Sequence, residues 1–289
     1  MKIENIKEIE SIENISLAFN KLLPMIEIIK IEKEKKEEKH ISARFLSNLK
    51  EVLRKKYYAK DVVRLYNAAE NLTIKMRKFT LKAGYRLAIG LGNPSFIENG
   101  FAFYPTYGIP YIPGSSLKGI TRNLFILIVS EHLNRDAKSV EEDLMNEKFD
   151  NSKVPLYLFE DNFGEWELQE TFNVLFGTKN REGKVIFFDA FPKSLTLDDI
   201  EIDIMNPHYQ PYYTNPKEKP PIDCYNPVPI HYMVLKEGVE FEFVLGVAND
   251  TDPRYLELAE RLLKAVLKSF GVGAKRRKGY GWFIEEANR

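Results

Sequence analysis

The chain has 289 residues, 44% of them apolar and 29% charged, a composition typical of a globular protein and unlike a disordered one. Its 42 basic and 42 acidic residues give a formal net charge of zero, which argues against non-specific coating of nucleic acid through a global field. The single cysteine, Cys224, excludes an intrachain disulfide and a cysteine-based zinc site. The four histidines are far apart in sequence, so we predict neither a metal site nor a cofactor.

The N-terminal part is predicted to be a helical extension covering residues 1–75. Its isoleucines recur every three residues from Ile3 to Ile15, and residues 42–71 contain good helix formers without proline or glycine. The N-terminus lacks the basic and then apolar pattern of a signal peptide, and no apolar run is long enough to span a membrane. We therefore expect a cytoplasmic protein without a membrane partner.

From residue 79 the hydrophobic period changes from that of a helix to that of a strand. Apolar and polar residues alternate over FTLKAGYRLAI, residues 79–89, which predicts a strand with one buried face. A helix is predicted from about Ser115 to His132. Around it lie long, poorly patterned segments, which we interpret as insertions at about residues 92–114 and 134–182, the second made of short helices.

The second half of the chain shows a similar order of elements. KVIFFDA, residues 184–190, predicts a buried strand, and residues 230–249 predict a hairpin turning at KEG, after a proline-rich insertion at about 205–227. A helix capped by Thr251 or Asp252 and ended by Gly271 follows, and then a closing strand. This β-α-β-β-α-β order predicts an α+β, ferredoxin-like or RRM-like core with insertions.

The first candidate site is PGSSLKGITR, residues 113–122, which we call the serine motif. A helix start with glycine, serines and lysine is suited to an anion, because its free backbone N–H groups point outward. The alternative is an ordinary helix cap with two surface cations. The motif is not a Walker A loop, since the terminal Gly-Lys-Ser/Thr is missing. The predicted phosphate-binding residues are Ser115, Ser116, Lys118 and Arg122.

The second candidate site is GVGAKRRKGYG, residues 271–281, which we call the glycine-rich loop. Glycines allow close approach of a ligand to the backbone, and four consecutive cations would meet phosphates. Tyr280 and Trp282 would stack on bases or form strand core. The alternative is a helix C-cap followed by a cationic hairpin tip. The predicted binding residues are Gly271, Gly273, Lys275, Arg276, Arg277, Lys278, Gly279 and Tyr280.

Together, the GSSxKG helix start and the terminal glycine-rich loop on this strand and helix order resemble the RAMP superfamily of CRISPR-associated proteins. Three further blocks, GLGNPSFIENGFAFYPTYGIPYIPGSSLKG, VIFFDAFP and NPHYQPYYTN, are similar to the RAMP subunit at the head of type III-B (Cmr) effector complexes. The resemblance covers roughly residues 80–285. It implies a RAMP domain over 76–289, after the helical extension.

The resemblance implies a structural subunit that binds crRNA near the 3′ part of the guide, caps the backbone filament and serves antiviral defence. Its implied partners are crRNA, target RNA, the repeated backbone RAMP subunit, the small helical subunit and the terminal RAMP subunit. Base pairing by the guide would supply the sequence specificity.

Catalysis is the main alternative to a structural role. Asp189, at the end of a predicted strand, is the leading candidate for a catalytic carboxylate. The preferred interpretation is that it accepts a hydrogen bond at the strand end. RAMP relatives that process guide precursors often use an early histidine, and His40 here ends a run of mixed charge. Asp136 and Asp143 carry no matching target-cleavage motif. We therefore predict no catalytic residue, with an RNA-cleaving RAMP protein and a small-molecule phosphate enzyme as alternatives.

Overall fold

The computed structural model describes residues 15–17, 19–20, 59–95, 99–150, 152–159, 161–222, 225–247 and 251–285. Most of the predicted helical extension, together with His40 and Cys224, lies outside these residues. The described residues fall into two units. The large unit contains residues 59–87, 111–194 and 237–285, and the small unit contains residues 15–20, 88–110 and 195–236. None of the described helices is long and apolar enough to cross a membrane.

The large unit is organised around an antiparallel sheet of five strands, β1 (Lys75–Ala83), β6 (Val185–Phe187), β7 (Phe191–Pro192), β10 (Glu240–Val247) and β11 (Phe283–Ile284). In this sheet β11, β1, β10 and β6 are neighbours in that order, and β7 also pairs with β10. The long helix α2 (Gly114–Leu133) lies between β1 and β6 in the chain, together with inserted elements described below, and α6 (Pro253–Ser269) lies between β10 and β11. This order confirms the predicted ferredoxin-like α+β core.

The centre of the sheet follows from apolar residues at alternate positions of β1 and β10, among them Phe79 and Phe243. Phe79 lies opposite Phe243 in the register, and their rings stack with centroids 5.2 Å apart. Phe283 meets the Phe243 ring edge-on at 5.4 Å. Each of these side chains is almost fully buried, and burial of one such side chain contributes about 1.5–3 kcal/mol. The sheet is therefore held mainly by one aromatic face.

The helix α6 begins and ends close to where the sequence predicts. The Asp252 carboxylate accepts a hydrogen bond from the Arg254 backbone N–H, and Pro253 occupies the first helical position. Its apolar stripe, which includes Leu256, Leu262 and Leu263, is buried. The capping prediction for Asp252 is confirmed.

A hydroxyl group of helix α1 (Ala59–Leu72) is hydrogen-bonded to two strands of the sheet. Tyr66 Oη donates a 2.9 Å hydrogen bond to the Glu242 carbonyl and accepts one of 3.3 Å from the Phe191 N–H. Phe191 and Glu242 are register partners of β7 and β10, so the hydroxyl lies between two strands. Burial raises the pKa of Tyr66 well above its usual value, which keeps the hydroxyl protonated.

The segment 134–182 contains more than the predicted short helices. Helices α3 (Ala137–Met145) and α4 (Leu168–Phe176) are present, but between them β4 (Lys153–Leu158) pairs with β5 (Asp161–Glu167) as a hairpin. The sequence signal was the alternation of Val154 and Leu156, which are buried, with more exposed neighbours.

The predicted hairpin over residues 230–249 is wrong. In the small unit, β9 (Ile230–Leu235) pairs along its whole length with β8 (Ile200–Met205), whereas β10 pairs with β1 in the large unit. The residues between β9 and β10 therefore connect two sheets. Gly238, with φ of 87°, donates its N–H to the Ala83 carbonyl at the end of β1 instead of closing a turn between β9 and β10.

The small unit also holds part of the two other predicted insertions. A tight two-stranded ladder joins β2 (Phe103–Tyr104) to β3 (Ile109–Pro110), with Gly108 in the left-handed region at φ of 66°. The proline-rich stretch before β9 contains the five-residue helix α5 (Gln210–Thr214), where no regular structure was predicted. A 3-10 turn at Leu197–Asp199 precedes β8.

Candidate nucleic-acid interface

Each of the two stretches singled out in the sequence is attached to the chain that follows a strand of the large-unit sheet. The serine motif is attached after β6, because the Gly114 N–H donates to Asp189 Oδ1 at 2.7 Å. The glycine-rich loop is attached after β1, because the Gly281 N–H donates to the Arg86 carbonyl at 2.8 Å. Both strands run antiparallel to β10, so the chain leaves both in the same direction. Along β10, the end of β6 at Phe187 is level with Leu245, whereas Lys82 near the end of β1 is level with Glu240.

The serine motif is capped differently from the prediction. Neither Ser115 nor Ser116 caps α2: the N-cap residue is Pro113, and no side chain of the cap accepts a hydrogen bond. The Pro113 carbonyl accepts the N–H of Ser116 at 2.9 Å and of Leu117 at 3.1 Å, as the backbone enters its first turn. With the Asp189 carboxylate on Gly114, most of the N-terminal N–H groups are used within the fold. Both serines are exposed on the first turn.

Gly114 is required here by close packing. A Cβ atom at this position would lie 2.1 Å from the Phe187 carbonyl oxygen. The glycine of the motif therefore allows α2 to start directly against the end of β6, and need not be explained by a ligand.

The two cations of the serine motif, Lys118 and Arg122, differ in their contacts with the rest of the protein. Arg122 donates to Glu141 on α3 at 2.8 Å and lies over the Phe172 ring at 5.4 Å. Lys118 is half-buried, and this burial lowers its pKa; Glu182 acts in the opposite direction, and nearby Arg122 lowers the pKa further. Arg122 is thus part of the packing between helices, and its role as a phosphate ligand stays a prediction.

The glycine-rich loop closes on itself through its two end glycines. The Val272 N–H donates to the Gly281 carbonyl at 2.9 Å, and both Gly271 (φ 69°) and Gly281 (φ 74°) have positive φ. A Cβ at Gly281 would be 1.9 Å from the Val272 oxygen, and one at Gly271 would be 2.6 Å from the Gly281 oxygen. Only glycine fits this crossing. Gly279 (φ 86°) has open space around it, so there the demand is for backbone conformation alone.

The cations between these glycines are presented to solvent. Lys275 takes the left-handed conformation, with φ of 58°, and the 3-10 turn Arg276–Lys278 follows it. Lys275 is half-buried, whereas the side chains of the turn are exposed. Among the described residues, none forms an ion pair with Arg276, Arg277 or Lys278. This contrasts with Arg122, and it leaves a concentrated positive charge in a protein whose formal net charge is zero.

The two aromatic residues at the end of the loop, Tyr280 and Trp282, differ in exposure. Tyr280, a predicted binding residue, is 8% exposed and meets Tyr85 edge-on at 5.4 Å, so its ring is not available to stack on a base. Trp282 is 38% exposed, and its indole lies against Gly84, where a Cβ would be 2.9 Å from the ring. Of the two rings, that of Trp282 is therefore the more accessible.

Sequence reasoning missed Phe270, which lies at the C-cap of α6 and is 43% exposed. It lines an open cleft of about 640 Å³ together with residues of the glycine-rich loop. A phenylalanine at the end of an amphipathic helix is usually a core residue, so the sequence offered no signal beyond its position directly before the loop.

The candidate catalytic carboxylates each have a hydrogen-bond partner within the fold. Asp189 accepts the Gly114 N–H, the role of a strand-end acceptor. Asp136 caps α3 by accepting the Ser139 N–H, and hydrogen bonds from Arg135 and Lys148 lower the pKa of Asp143. His132 and His208 are exposed, in the large and the small unit respectively. In the part of the chain that the structure describes, no three histidine, cysteine or acidic side chains are grouped to hold a metal ion.

A sequence model of the RAMP superfamily matches residues 80–284, the span from β1 through the glycine-rich loop. The chain belongs to the RAMP superfamily.

Within the RAMP superfamily, the chain is similar to Cmr6 proteins, which confirms the narrower resemblance drawn from the sequence. It is 37% identical over 257 residues to the CRISPR system Cmr subunit Cmr6 of Pyrococcus furiosus, covering 81% of this chain and 73% of that protein. Cmr6 of Saccharolobus solfataricus is 25% identical, over 83% of this chain and 63% of its own length.

A solved structure supports the same RAMP architecture. The chain aligns with a subunit in the cryo-EM structure of a type III-B Cmr-beta complex bound to cognate target RNA, with a TM-score of 0.55 and 20% identity. The alignment covers 86% of this chain and 75% of that one. At this level of identity the likeness concerns the fold.

Proposed function

We propose that this chain is a non-catalytic, crRNA-binding structural subunit of a type III-B Cmr effector complex in antiviral defence. It would cap the backbone filament near the 3′ part of the guide. The observation that carries the RNA-binding part is the exposed turn Arg276–Lys278, which has no ion-pair partner among the described residues and sits at one end of the core sheet. The similarity to Cmr6 supports the choice of complex.

The predicted partners follow from the same proposal. They are crRNA, target RNA, the repeated backbone RAMP subunit, the small helical subunit and the terminal RAMP subunit. A cluster of exposed cations neutralises phosphates without distinguishing bases. This suits a subunit that holds a guide whose own base pairing supplies the specificity. Ser115 and Ser116, which are exposed, and Lys118 would flank the path of the backbone.

The non-catalytic part rests on the position of Asp189. Its carboxylate is committed to the first N–H of α2, with a 2.7 Å hydrogen bond, and so it has a structural task. Metal-free cleavage would need a general base within hydrogen-bond reach of the ribose hydroxyl. The exposed histidines His132 and His208 belong to different units, away from the glycine-rich loop in sequence.

The test measures binding and cleavage of a guide-length single-stranded RNA by the purified full chain, over a salt series, with and without divalent metal. Replacing Lys275, Arg276 and Arg277 with alanine should weaken binding and lower the slope of log K against log salt by about 2, since each contact to single-stranded RNA contributes roughly 0.7. No cleavage should be seen. An unchanged slope would refute the assignment of the loop.

A matched control removes the same charge elsewhere in the large unit. Lys138, Lys153 and Lys179 are exposed lysines outside the loop and the serine motif, and their alanine variant should keep most of the salt slope. RNA cleavage that survives purification and is lost on Asp189→Asn would make the chain a nuclease. Saturable binding of mononucleotides without affinity for long RNA would favour a small-molecule phosphate enzyme.

A further inference from the structure

The exposed ring of Phe270 is unusual for its surroundings. Most large aromatic side chains of the large unit are buried, several of them in ring pairs such as Phe79 with Phe243. Phe270 is 43% exposed, and it stacks on no other described ring. A single exposed apolar residue is ordinary on a protein surface. What sets Phe270 apart is the cleft that it lines.

This cleft has about 640 Å³, within the range of roughly 300–1,000 Å³ typical of small-ligand sites. One wall is the end of α6, with Ser269 and Phe270, and the other is the first half of the glycine-rich loop. The loop wall contributes Gly273, Lys275, Arg276 and Arg277. An aromatic face and three cations therefore meet around one open space that can hold a single nucleotide unit.

The electrostatics of the two walls differ, and this orients a ligand. The C-terminal end of a helix carries a partial negative charge from its unpaired carbonyl groups, so the α6 wall disfavours a phosphate. The loop wall has Arg276 and Arg277 exposed, and it attracts one. An anion would lie on the loop side, and the uncharged part of the ligand would lie against Phe270.

We propose that this cleft is a nucleotide subsite, in which Phe270 stacks on one unpaired base of the bound RNA while Lys275, Arg276 and Arg277 hold the adjacent phosphate. The inference rests on the proposed function and adds to it a place where the RNA is held by a base. Stacking on an aromatic ring tolerates any base, because every base has a π-face. The subsite would fix the path of the strand without reading its sequence.

The experiment compares two ligands on the full chain. One is a fluorescently labelled single-stranded RNA, and the other is an abasic ribose-phosphate oligomer of the same length. Phe270→Ala should weaken RNA binding by roughly tenfold, the effect of losing one stacked base, and leave binding of the abasic oligomer unchanged. Phe270→Trp should restore or strengthen RNA binding. Replacing Arg276 and Arg277 should weaken both ligands.

The chain provides a matched control in Phe159, which is 83% exposed in the β4–β5 hairpin and does not line the cleft. Phe159→Ala makes the same chemical change and should leave RNA binding unaltered. Equal losses for RNA and the abasic oligomer on Phe270→Ala, or no loss for either, would overturn the stacking inference while RNA binding stands. Absence of RNA binding by the unmodified chain would overturn the proposed function itself.

Discussion

The serine motif and the glycine-rich loop look alike as sequences, since each combines glycine with cations in a form suited to phosphate. In the structure they differ. The serine motif uses its glycine to start α2 against β6, gives its first N–H to Asp189, and pairs Arg122 with Glu141. In the glycine-rich loop, Gly271 and Gly281 are also required by close packing, but the turn Arg276–Lys278 is exposed to solvent. A binding motif is therefore better judged by what its polar groups already contact than by its composition.

The largest expected effect is on stability, and it distinguishes Gly281, which is required by close packing, from Gly279, which is required only by its positive φ. Gly281→Ala should destabilise the protein by about 4 kcal/mol or more, because the new Cβ would lie 1.9 Å from a backbone oxygen at positive φ. Gly279→Ala should cost only about 1–2 kcal/mol, since it meets no atom and bears the left-handed penalty alone. Urea unfolding of both variants measures the difference, and equal stabilities would contradict the packing explanation.

A smaller effect is expected at the start of α2. Asp189→Ala should lower the free energy of unfolding by about 1–2 kcal/mol, because the Gly114 N–H loses its acceptor. Asp189→Asn keeps an oxygen there and should lose less. Thermal unfolding of the two variants tests this role. If Asp189→Asn lowers the stability as much as Asp189→Ala does, the negative charge matters more than the hydrogen-bond acceptor.

The comparison is sharpened by exchanging one cation in each stretch for methionine. Arg277→Met should weaken RNA binding about fivefold, or ~1 kcal/mol, because its exposed guanidinium is open to a phosphate. Lys118→Met should weaken it only about twofold, since that lysine is half-buried, which limits its access to a phosphate. Neither change should alter base preference. A larger loss at Lys118 would reverse the order of the two sites.

The smallest effect is expected at the serines. Ser115→Ala and Ser116→Ala should each change the free energy of unfolding by less than about 0.5 kcal/mol, because neither side chain caps the helix. Urea unfolding tests this directly. A loss near 1 kcal/mol, the usual value for a removed N-cap, would restore the capping role that the sequence suggested.

The sequence predicted the parts of this fold whose signals are local. The capping of α6 by Asp252, the alternation of aromatic residues in β10 and the order of elements in the core were all visible. Pairing was not, because β9 and β10 are adjacent in sequence and both apolar, yet each finds its partner far away in the chain. Non-local pairing depends on surfaces that no short window contains.

For the candidate site, the cations of the glycine-rich loop could be predicted because residue type and solvent exposure agree there. Tyr280 and Phe270 could not, since which aromatic ring is buried depends on the face of the sheet and on the end of the helix. The sequence alone gave both the same apolar character. Likewise, nothing in the sequence around Arg122 indicates that its guanidinium lies 2.8 Å from the Glu141 carboxylate.

The hydroxyl of Tyr66 limits where the chain can be truncated. Phe191 and Glu242 meet across β7 and β10 through that hydroxyl, so removing α1 would leave a strand donor and a strand acceptor without their shared partner. The family match starts at residue 80, after the whole of α1 and part of β1. A shortened protein that starts at the family boundary would therefore lose the Tyr66 hydrogen bonds that link β7 and β10. A truncated protein intended to isolate the proposed RNA-binding region should begin no later than residue 59.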